Sequence, residues 1–201
     1  MYDGIKGWFR RINAYGEKRG ILVEHYIISS GLREIIEGTA IAKDFTHIYA
    51  SSFYYNEHGE PCWPAQVINY TNKTQFLFRI EKGILDINDN AVNDHFAEGE
   101  LRVPFRNIVY IGDSATDIPC MRLVNSLGGH SVGVYDLKNT ASKDTVRRMI
   151  RDERIRYYVP ADYTKGSEMD ILMHRIIDKT AAYEVLEEKH LRDRKESVGF
   201  K

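Results

Sequence analysis

The sequence has few residues that could cross-link the chain and no segment that could anchor it in a membrane. Its two cysteines, Cys62 and Cys120, are far apart and outside any Cys-x-x-Cys spacing, so a disulfide framework is not expected. No apolar run approaches the roughly 18 residues that a membrane span needs, and the N-terminal residues lack the apolar core of a secretory signal. The formal net charge of −1 gives no indication of nucleic acid or a membrane surface as a partner. We therefore expect a cytoplasmic protein.

Several nucleotide-binding and metal-binding motifs are also missing. Neither GxxxxGK[ST] nor a strand-linked GxGxxG occurs, which disfavours a nucleotide-binding fold. The seven histidines and two cysteines show no spacing typical of zinc ligands. A basic stretch over residues 143–156 is interleaved with acidic residues, which is typical of a solvated helix face rather than an RNA-binding patch.

What is present is an ordinary globular composition, with 43% hydrophobic and 28% charged residues. Apolar runs alternate with stretches of helical periodicity. The predicted strands cover 22–29, 46–53, 107–112, 130–135 and 156–159, with a hairpin arm that returns towards residue 68. The predicted helices cover 5–18, 31–37, 72–82, 116–127, 143–151 and 168–178. This alternation predicts an α/β fold with a mostly parallel sheet, in which strands 22–29 and 107–112 are buried.

The expected organisation is a single core domain over residues 1–201. The chain opens on a helix, within residues 1–20, that carries an apolar stripe and must pack on something. The end of the chain, over residues 179–201, is polar and helix-prone and is expected to be an exposed tail.

Three polar clusters lie at positions where ligands bind in α/β sheets, close to the C-terminal ends of strands. Ser29-Ser30-Gly31 separates an apolar strand from a helix, so its backbone N–H groups could face a phosphate. The alternative is plain N-capping of that helix by Ser29 or Ser30. Lys73 lies at the start of the helix over 72–82, where the helix dipole disfavours its charge unless an anion compensates it. The alternative is a solvated lysine.

The third cluster, Gly112-Asp113-Ser114-Ala115-Thr116-Asp117, follows the strand over 107–112. It places two carboxylates at a strand tip and in the first turn of a helix. Carboxylates and water are the ligands that Mg²⁺ prefers, and the ion commonly takes only one or two carboxylates directly. The alternative is an N-cap at Asp113 and a carboxylate at Asp117 that the helix dipole favours.

In this order, strand-SSG, an isolated lysine and strand-GDxxxD resemble the second, third and fourth motifs of the haloacid dehalogenase-like hydrolases. The nearest resemblance is to the phosphoserine-phosphatase-like branch, and it extends over residues 22–135. The resemblance implies a Rossmann-like three-layer α/β sandwich and Mg²⁺-dependent hydrolysis of a small phosphorylated substrate. It also implies that the first, central strand of the sheet is missing from this sequence, and that the family's cap domain is missing too, apart from a candidate remnant in the helix within residues 1–20.

The resemblance also implies residue roles. Ser29 would donate a hydrogen bond to phosphoryl oxygens, with the backbone N–H of Ser30 beside it in the segment that Gly31 completes. Lys73 would neutralise charge on the phosphoryl group. Asp113 would bind Mg²⁺ directly, and Asp117 would act on the ion through water or would bridge to Lys73.

The family's nucleophile, an aspartate that begins an Asp-x-Asp motif after the first strand, is not found. Asp3-Gly4 has no strand before it, and Asp86-Ile87-Asn88 reads as a turn because Asp and Asn favour turns. In the family the first strand lies between the strands that end here at Ser29 and Asp113. We therefore expect the C-terminal portion of a longer hydrolase, inactive as given, or a chain that shares a strand in a homo-oligomer.

The alternative function is a non-catalytic binding or interaction module with a remnant site for Mg²⁺ or phosphate. A receiver domain of a signalling pathway is disfavoured, because its acidic cluster precedes its hydroxyl and its lysine. In this sequence Asp113 follows both Ser29 and Lys73.

Overall fold

The computed structural model describes residues 1–198, apart from the side chains of Glu98 and Val198. The chain divides into two compact units. One contains Met1–Glu24 and the chain from Asp162 onward, and the other contains His25–Ala161. The organisation as a single domain stays a prediction. No helix among the described residues combines the length and the apolar character needed to cross a membrane.

The first unit is built on two helices, α1 (Ile5–Glu17) and α6 (Glu168–Val198). The apolar stripe of α1 is buried, with Trp8, Phe9 and Ile12 each at most 5% exposed. The prediction that this stripe packs on another element is confirmed, because α1 packs on α6. The predicted helix over 168–178 and the predicted tail form one continuous helix, and residues 199–201 of that tail lie outside the described residues.

Three side-chain contacts at intervals of four residues join the two helices. Arg11 Nε lies 2.8 Å from Asp170 Oδ1, and the ring of Tyr15 stacks on that of His174 with centroids 3.6 Å apart. Arg19, just beyond the end of α1, pairs with Asp178. The partner numbers increase together, so the helices run parallel, and the four-residue spacing keeps all three contacts on one face.

The second unit contains six strands, four α-helices and five short 3₁₀ helices among the described residues. The strands are β1 (Tyr26–Leu32), β2 (His47–Tyr55), β3 (Pro61–Gln66), β4 (Val109–Gly112), β5 (His130–Tyr135) and β6 (Tyr157–Pro160). The helices are α2 (Arg33–Glu37), α3 (Thr74–Lys82), α4 (Ile118–Ser126) and α5 (Thr140–Arg151). The predicted α/β fold is confirmed.

The strands form two three-stranded sheets. In one, β1 pairs with β2 in parallel and β2 with β3 in antiparallel, which confirms the predicted hairpin. In the other, β4, β5 and β6 pair in parallel in that order. The prediction of mostly parallel strands is therefore confirmed. Within the described chain, β1 and β4 each have a strand neighbour on one side only.

The two sheets border the same core. Ile28 of β1 packs against the cluster around Tyr49 and Phe76, and also against the cluster that contains Tyr110 of β4 and Met121 of α4. The unpaired edges of β1 and β4 are those between which the family's first strand would lie. Unpaired backbone groups of edge strands are a template for pairing with a further strand.

The burial of these edge strands differs from the sequence prediction. The first strand begins at Tyr26 rather than at residue 22, and Leu22 is 81% exposed. None of the residues of β1 is fully buried, and β4 alternates between half-buried and buried residues, whereas every residue of β5 is buried. The physical reason is position in the sheet: β5 has strands on both sides, while β1 and β4 lack a neighbour on one side.

Candidate active site

The acidic cluster is positioned by the end of β4 and the turn that follows it. A 3₁₀ turn, Ala115–Asp117, leads from Gly112-Asp113-Ser114 into α4, whose first turn contains Pro119. Gly112 allows the turn to fold back, since a Cβ atom on this residue would lie 2.8 Å from the Cβ, Cγ and Oδ2 atoms of Asp117. Asp117 is buried at 6% exposure, whereas Asp113 is exposed.

Lys73 and Asp117 form a buried ion pair. Lys73 is the N-cap residue of α3 and is 5% exposed, and its Nζ atom donates to Asp117 Oδ1 over 2.8 Å. The Tyr110 hydroxyl donates to the same oxygen over 2.9 Å, and the Ser114 hydroxyl donates to Oδ2 over 3.0 Å. The bridge to Lys73 that the resemblance implied for Asp117 is present, and the alternative of a solvated Lys73 does not occur.

Burial determines the electrostatics of this cluster. Two charges removed from water are stable only if they are paired and hydrogen-bonded, and both conditions are met for Lys73 and Asp117. Burial, followed by the negative charge of Asp117, raises the pKa of Tyr110, so its hydroxyl remains a donor. Burial also raises the pKa of the Cys120 thiol, to about 11, although its hydrogen-bonding contact with Tyr110 and the charge of Lys73 act in the opposite direction.

The serine segment lies at the end of β1 rather than at a helix start. The strand continues to Leu32, which is also the N-cap residue of α2 and provides no side-chain cap. N-capping by Ser29 or Ser30 therefore does not occur. Instead, Ser29 Oγ accepts the N–H of Gly31 over 3.0 Å, and the hydroxyl of Ser51 donates to the Ser30 carbonyl over 3.2 Å.

Three of the four candidate phosphate-binding residues, Ser29, Ser30 and Gly31, are accessible to a ligand. Ser30 and Gly31 are exposed and Ser29 is half-buried, unlike Lys73. Among the described residues, no hydrogen bond or ion pair joins the serine segment to Lys73, Asp113 or Asp117. The structure thus contains the lysine–aspartate half of the predicted site as an assembled unit, while the role of the serine segment stays a prediction.

The carboxylates do not by themselves fit a bound Mg²⁺. Asp117 is engaged by Lys73, Tyr110 and Ser114, so Asp113 is the carboxylate of the pair that remains available. Within residues 1–198, no group of three or more His, Cys, Asp and Glu side chains could hold a metal ion. Magnesium favours six oxygen ligands, several of which can be water or substrate phosphate. A magnesium site would therefore need ligands in addition to Asp113.

Asp86 belongs to a turn, as predicted from its Asn and Asp neighbours. Its Oδ1 atom accepts the N–H of Asn88 over 2.9 Å. The buried guanidinium of Arg79 holds the same loop, because it donates to the carbonyls of Asp86 and Ile87 over 2.6 and 2.8 Å. The loop is therefore held in place by the C-terminal end of α3. No strand of the described chain directly precedes Asp86 and could present it as a nucleophile.

Two residues of the cluster, Tyr110 and Ser114, are not found by the sequence argument. Tyr110 lies in an apolar run, where a tyrosine is typical of core packing. Ser114 lies three residues before Asp117, and a short polar residue at that spacing favours local hydrogen bonding. Only the serine therefore carries a sequence signal, and that signal is weak.

Comparison with known proteins agrees with these features. A family model described as haloacid dehalogenase-like hydrolase matches residues 2–122. An uncharacterized protein of Borreliella burgdorferi is 24% identical over 186 aligned residues, which cover 84% of this chain and 64% of that protein. The alignment thus spans slightly less than two thirds of the length of that relative.

Because the family match covers more than half of the chain, the chain belongs to the haloacid dehalogenase-like hydrolase family. The resemblance of the three motifs to this family is confirmed. The phosphoserine-phosphatase-like branch and the missing nucleophile stay predictions.

Proposed function

We propose that this chain carries the lysine, acidic and phosphate-binding residues of a Mg²⁺-dependent phosphohydrolase that cleaves a small phosphomonoester. The aspartate nucleophile would come from a strand outside the described residues. Without that strand, the chain would turn over almost no substrate. The cytoplasmic location and the self-association expected from the sequence are part of the same proposal.

The observation that carries the proposal is the buried Lys73–Asp117 pair in a unit with two unpaired parallel strand edges. Burying two charged side chains costs free energy of desolvation, which a pair that served stability alone would not need to spend. The pair lies behind the C-terminal end of β4, which is where open α/β sheets bind ligands. A parallel strand that pairs with both β1 and β4 would end at the same edge and would bring a nucleophile to this position.

The residues of the chain supply positioning and charge. Lys73 uses one ammonium N–H group for Asp117, which leaves two for a phosphoryl group and the attacking carboxylate. Ser29 and the backbone N–H of Ser30 would bind phosphoryl oxygens. Phosphoryl transfer depends mainly on positioning and charge neutralisation, which these groups provide.

Magnesium is part of the proposal because members of this family usually use it. Asp113 is the residue that would contact the ion, together with ligands from outside the described residues. The isolated chain should accordingly bind Mg²⁺ weakly, and Asp113→Asn should abolish that binding.

A non-catalytic binding module is the second candidate. The observation that favours it is the ion pair between Lys73 and Asp117. Because the two charges neutralise each other, the site would be stable in a chain that has no nucleophile. This candidate predicts phosphate or Mg²⁺ binding without turnover in any form of the protein.

The test begins with the coding DNA upstream of Met1. If it encodes, in frame, an apolar strand that ends in Asp-x-Asp, the extended protein should hydrolyse p-nitrophenyl phosphate in the presence of Mg²⁺. Lys73→Met and Asp113→Asn should each abolish turnover, whereas Lys189→Met on the exposed face of α6 should retain it. Circular dichroism would show that each variant is folded.

Three outcomes would count against the proposal. Turnover by the 201-residue chain alone, lost in Asp113→Asn, would show that a nucleophile lies within it. An extended protein with no turnover but with phosphate binding would favour the non-catalytic module. A folded chain that binds none of inorganic phosphate, orthovanadate and Mg²⁺ in calorimetry would contradict both functions.

A further inference from the structure

We infer that Tyr110 is a positioning residue of this site: its hydroxyl fixes the Asp117 carboxylate and thereby orients the ammonium group of Lys73. The purpose of that orientation rests on the proposed function. The contact itself does not, because it is a hydrogen bond of 2.9 Å between a buried hydroxyl and a buried carboxylate.

The carboxylate is held from three elements. Lys73 approaches from the start of α3, Tyr110 from β4, and Ser114 from the turn before α4. Tyr110 and Lys73 donate to the same oxygen, and Ser114 donates to the other. With donors on both oxygens, the carboxylate cannot rotate without breaking a buried hydrogen bond. Tyr110 is the donor of this set that lies on a sheet strand, and strands and helices hold a side chain more precisely than loops do.

Packing alone does not explain a tyrosine at this position. Residue 110 is 7% exposed within an apolar core cluster, where an aliphatic side chain or phenylalanine would avoid burying a hydroxyl. A buried hydroxyl costs free energy unless it is hydrogen-bonded, and here its partner is the acidic member of the ion pair. Tyr135, in the same cluster and 6% exposed, makes no hydrogen bond to an acidic residue among those described.

The orientation matters because Lys73 has three donors and one of them is committed to Asp117. If the carboxylate rotates, the ammonium group follows it, and the two remaining N–H groups no longer point in a fixed direction. Tyr110 is therefore expected to act on the site without touching a substrate.

The experiment is NMR of the lysine ammonium groups in protein labelled with ¹⁵N-lysine. The Lys73 signal is assigned by its loss in Lys73→Met. In the wild type, its protons should exchange slowly with water. Tyr110→Phe should accelerate this exchange about fivefold, the factor expected for the loss of one hydrogen bond to the carboxylate. Tyr135→Phe is the matched control and should leave the exchange rate unchanged.

If Tyr110 only fills space in the core, its hydroxyl should have no effect on the exchange rate of the Lys73 ammonium protons. The inference is overturned if Tyr110→Phe leaves the Lys73 exchange rate at the wild-type value, or if Tyr135→Phe accelerates it equally. If Tyr110→Phe does not fold, the wild type still provides a test. A Tyr110 hydroxyl held by Asp117 should exchange slowly with water and therefore give separate O–H and O–D signals at a ¹³C-labelled Cζ of Tyr110 in mixed H₂O and D₂O, and a single averaged signal overturns the inference.

Orthovanadate binding separates this inference from the proposed function. If the wild type binds vanadate, Tyr110→Phe should weaken the affinity about fivefold, while Tyr135→Phe should not. Unchanged affinity in Tyr110→Phe would overturn the inference. If the folded wild type binds none of vanadate, inorganic phosphate and Mg²⁺, the proposed function fails, and the exchange rate of Lys73 alone then supports or overturns the role of Tyr110.

Discussion

Lys73 and Asp117 are 44 residues apart in the sequence, yet Nζ of one lies 2.8 Å from Oδ1 of the other, and both side chains are buried. This contact joins the start of α3 to the turn after β4. A buried pair of this kind contributes little net stability compared with apolar residues, but the loss of one partner leaves an uncompensated charge. The pair is therefore a sensitive point of the fold, whatever the site binds.

The first prediction concerns removal of either partner. Lys73→Met and Asp117→Asn should each lower the free energy of unfolding, Lys73→Met by about 3–5 kcal/mol because it leaves Asp117 charged and buried. The double variant should cost less than the sum of the single changes, since no charge is left unpaired. Urea unfolding monitored by circular dichroism measures all three values.

The matched control for this cycle is the exposed pair Lys189–Asp193 of α6, whose side chains are 65% and 53% exposed. Lys189→Met should change the free energy of unfolding by less than about 1 kcal/mol. Strict additivity of Lys73→Met and Asp117→Asn would show that the two residues do not interact in solution.

The second prediction concerns Gly112, which leaves room for Asp117. In Gly112→Ala, the new Cβ atom would lie 2.8 Å from atoms of the Asp117 side chain, so the carboxylate must move and its contact with Lys73 weakens. The expected loss is about 1–3 kcal/mol of stability, with faster water exchange of the Lys73 ammonium protons.

Gly7 is the control for this substitution, because it lies within α1 and no heavy atom lies within 4 Å of the position of its Cβ. Gly7→Ala should stabilise the protein by about 0.5–1 kcal/mol, since alanine favours the helix. A neutral effect of Gly112→Ala would mean that Asp117 does not depend on this glycine.

The sequence predicts those parts of the fold and site that depend on local patterns. The periodic runs locate α1, α3 and β5 to within about two residues, because the apolar residues of each element are the ones that folding buries. The order of the serine, lysine and aspartate motifs predicts the family. The resemblance also gives the contact between Lys73 and Asp117 as one of two alternative roles for Asp117, the other being action on a metal ion through water.

The remaining features depend on neighbours in space. The sequence predicts a buried strand that starts at Leu22, although Leu22 is exposed. Apolar periodicity does not show whether a strand has a partner on each side, and burial depends on those partners. Tyr110 resembles a packing residue because the hydrogen bond to Asp117 forms only when β4 and the following turn are folded. That β1 and β4 are edge strands becomes apparent only from the pairing of the strands in the two sheets.

The third prediction concerns the two thiols. Burial raises the pKa of Cys120 to about 11 and also blocks reagents, whereas Cys62 is exposed. At pH 8 the folded protein should react with one equivalent of Ellman's reagent, and with two in denaturant. Cys62→Ser should remove the fast reaction. Rapid reaction of two thiols in the folded wild type would contradict the buried position of Cys120 beside Tyr110.

The last prediction concerns acid stability and the contact between α1 and α6. Burial acts to raise the pKa of Asp170, but hydrogen bonds from the Gly166 N–H and from Arg11, with the charge of Arg11, outweigh it and lower the pKa. A carboxyl whose pKa is lowered by folding stabilises the folded state above its unfolded pKa of about 3.9, and this contribution is lost as pH falls through the folded pKa. The Arg11–Asp170 contact should therefore stabilise the protein at neutral pH and not in strong acid.

Arg11→Met should accordingly lower the free energy of unfolding by about 1–3 kcal/mol at pH 7, because the buried Asp170 loses its half-buried charged partner. The difference from the wild type should narrow below about pH 4, where Asp170 becomes protonated in the variant. Urea unfolding between pH 3 and pH 7 measures this, with Arg10→Met on the exposed face of α1 as the control that should show no pH-dependent loss. A deficit in Arg11→Met that is equally large at pH 3 and pH 7 would indicate lost packing of the arginine stem rather than the lost charge pair.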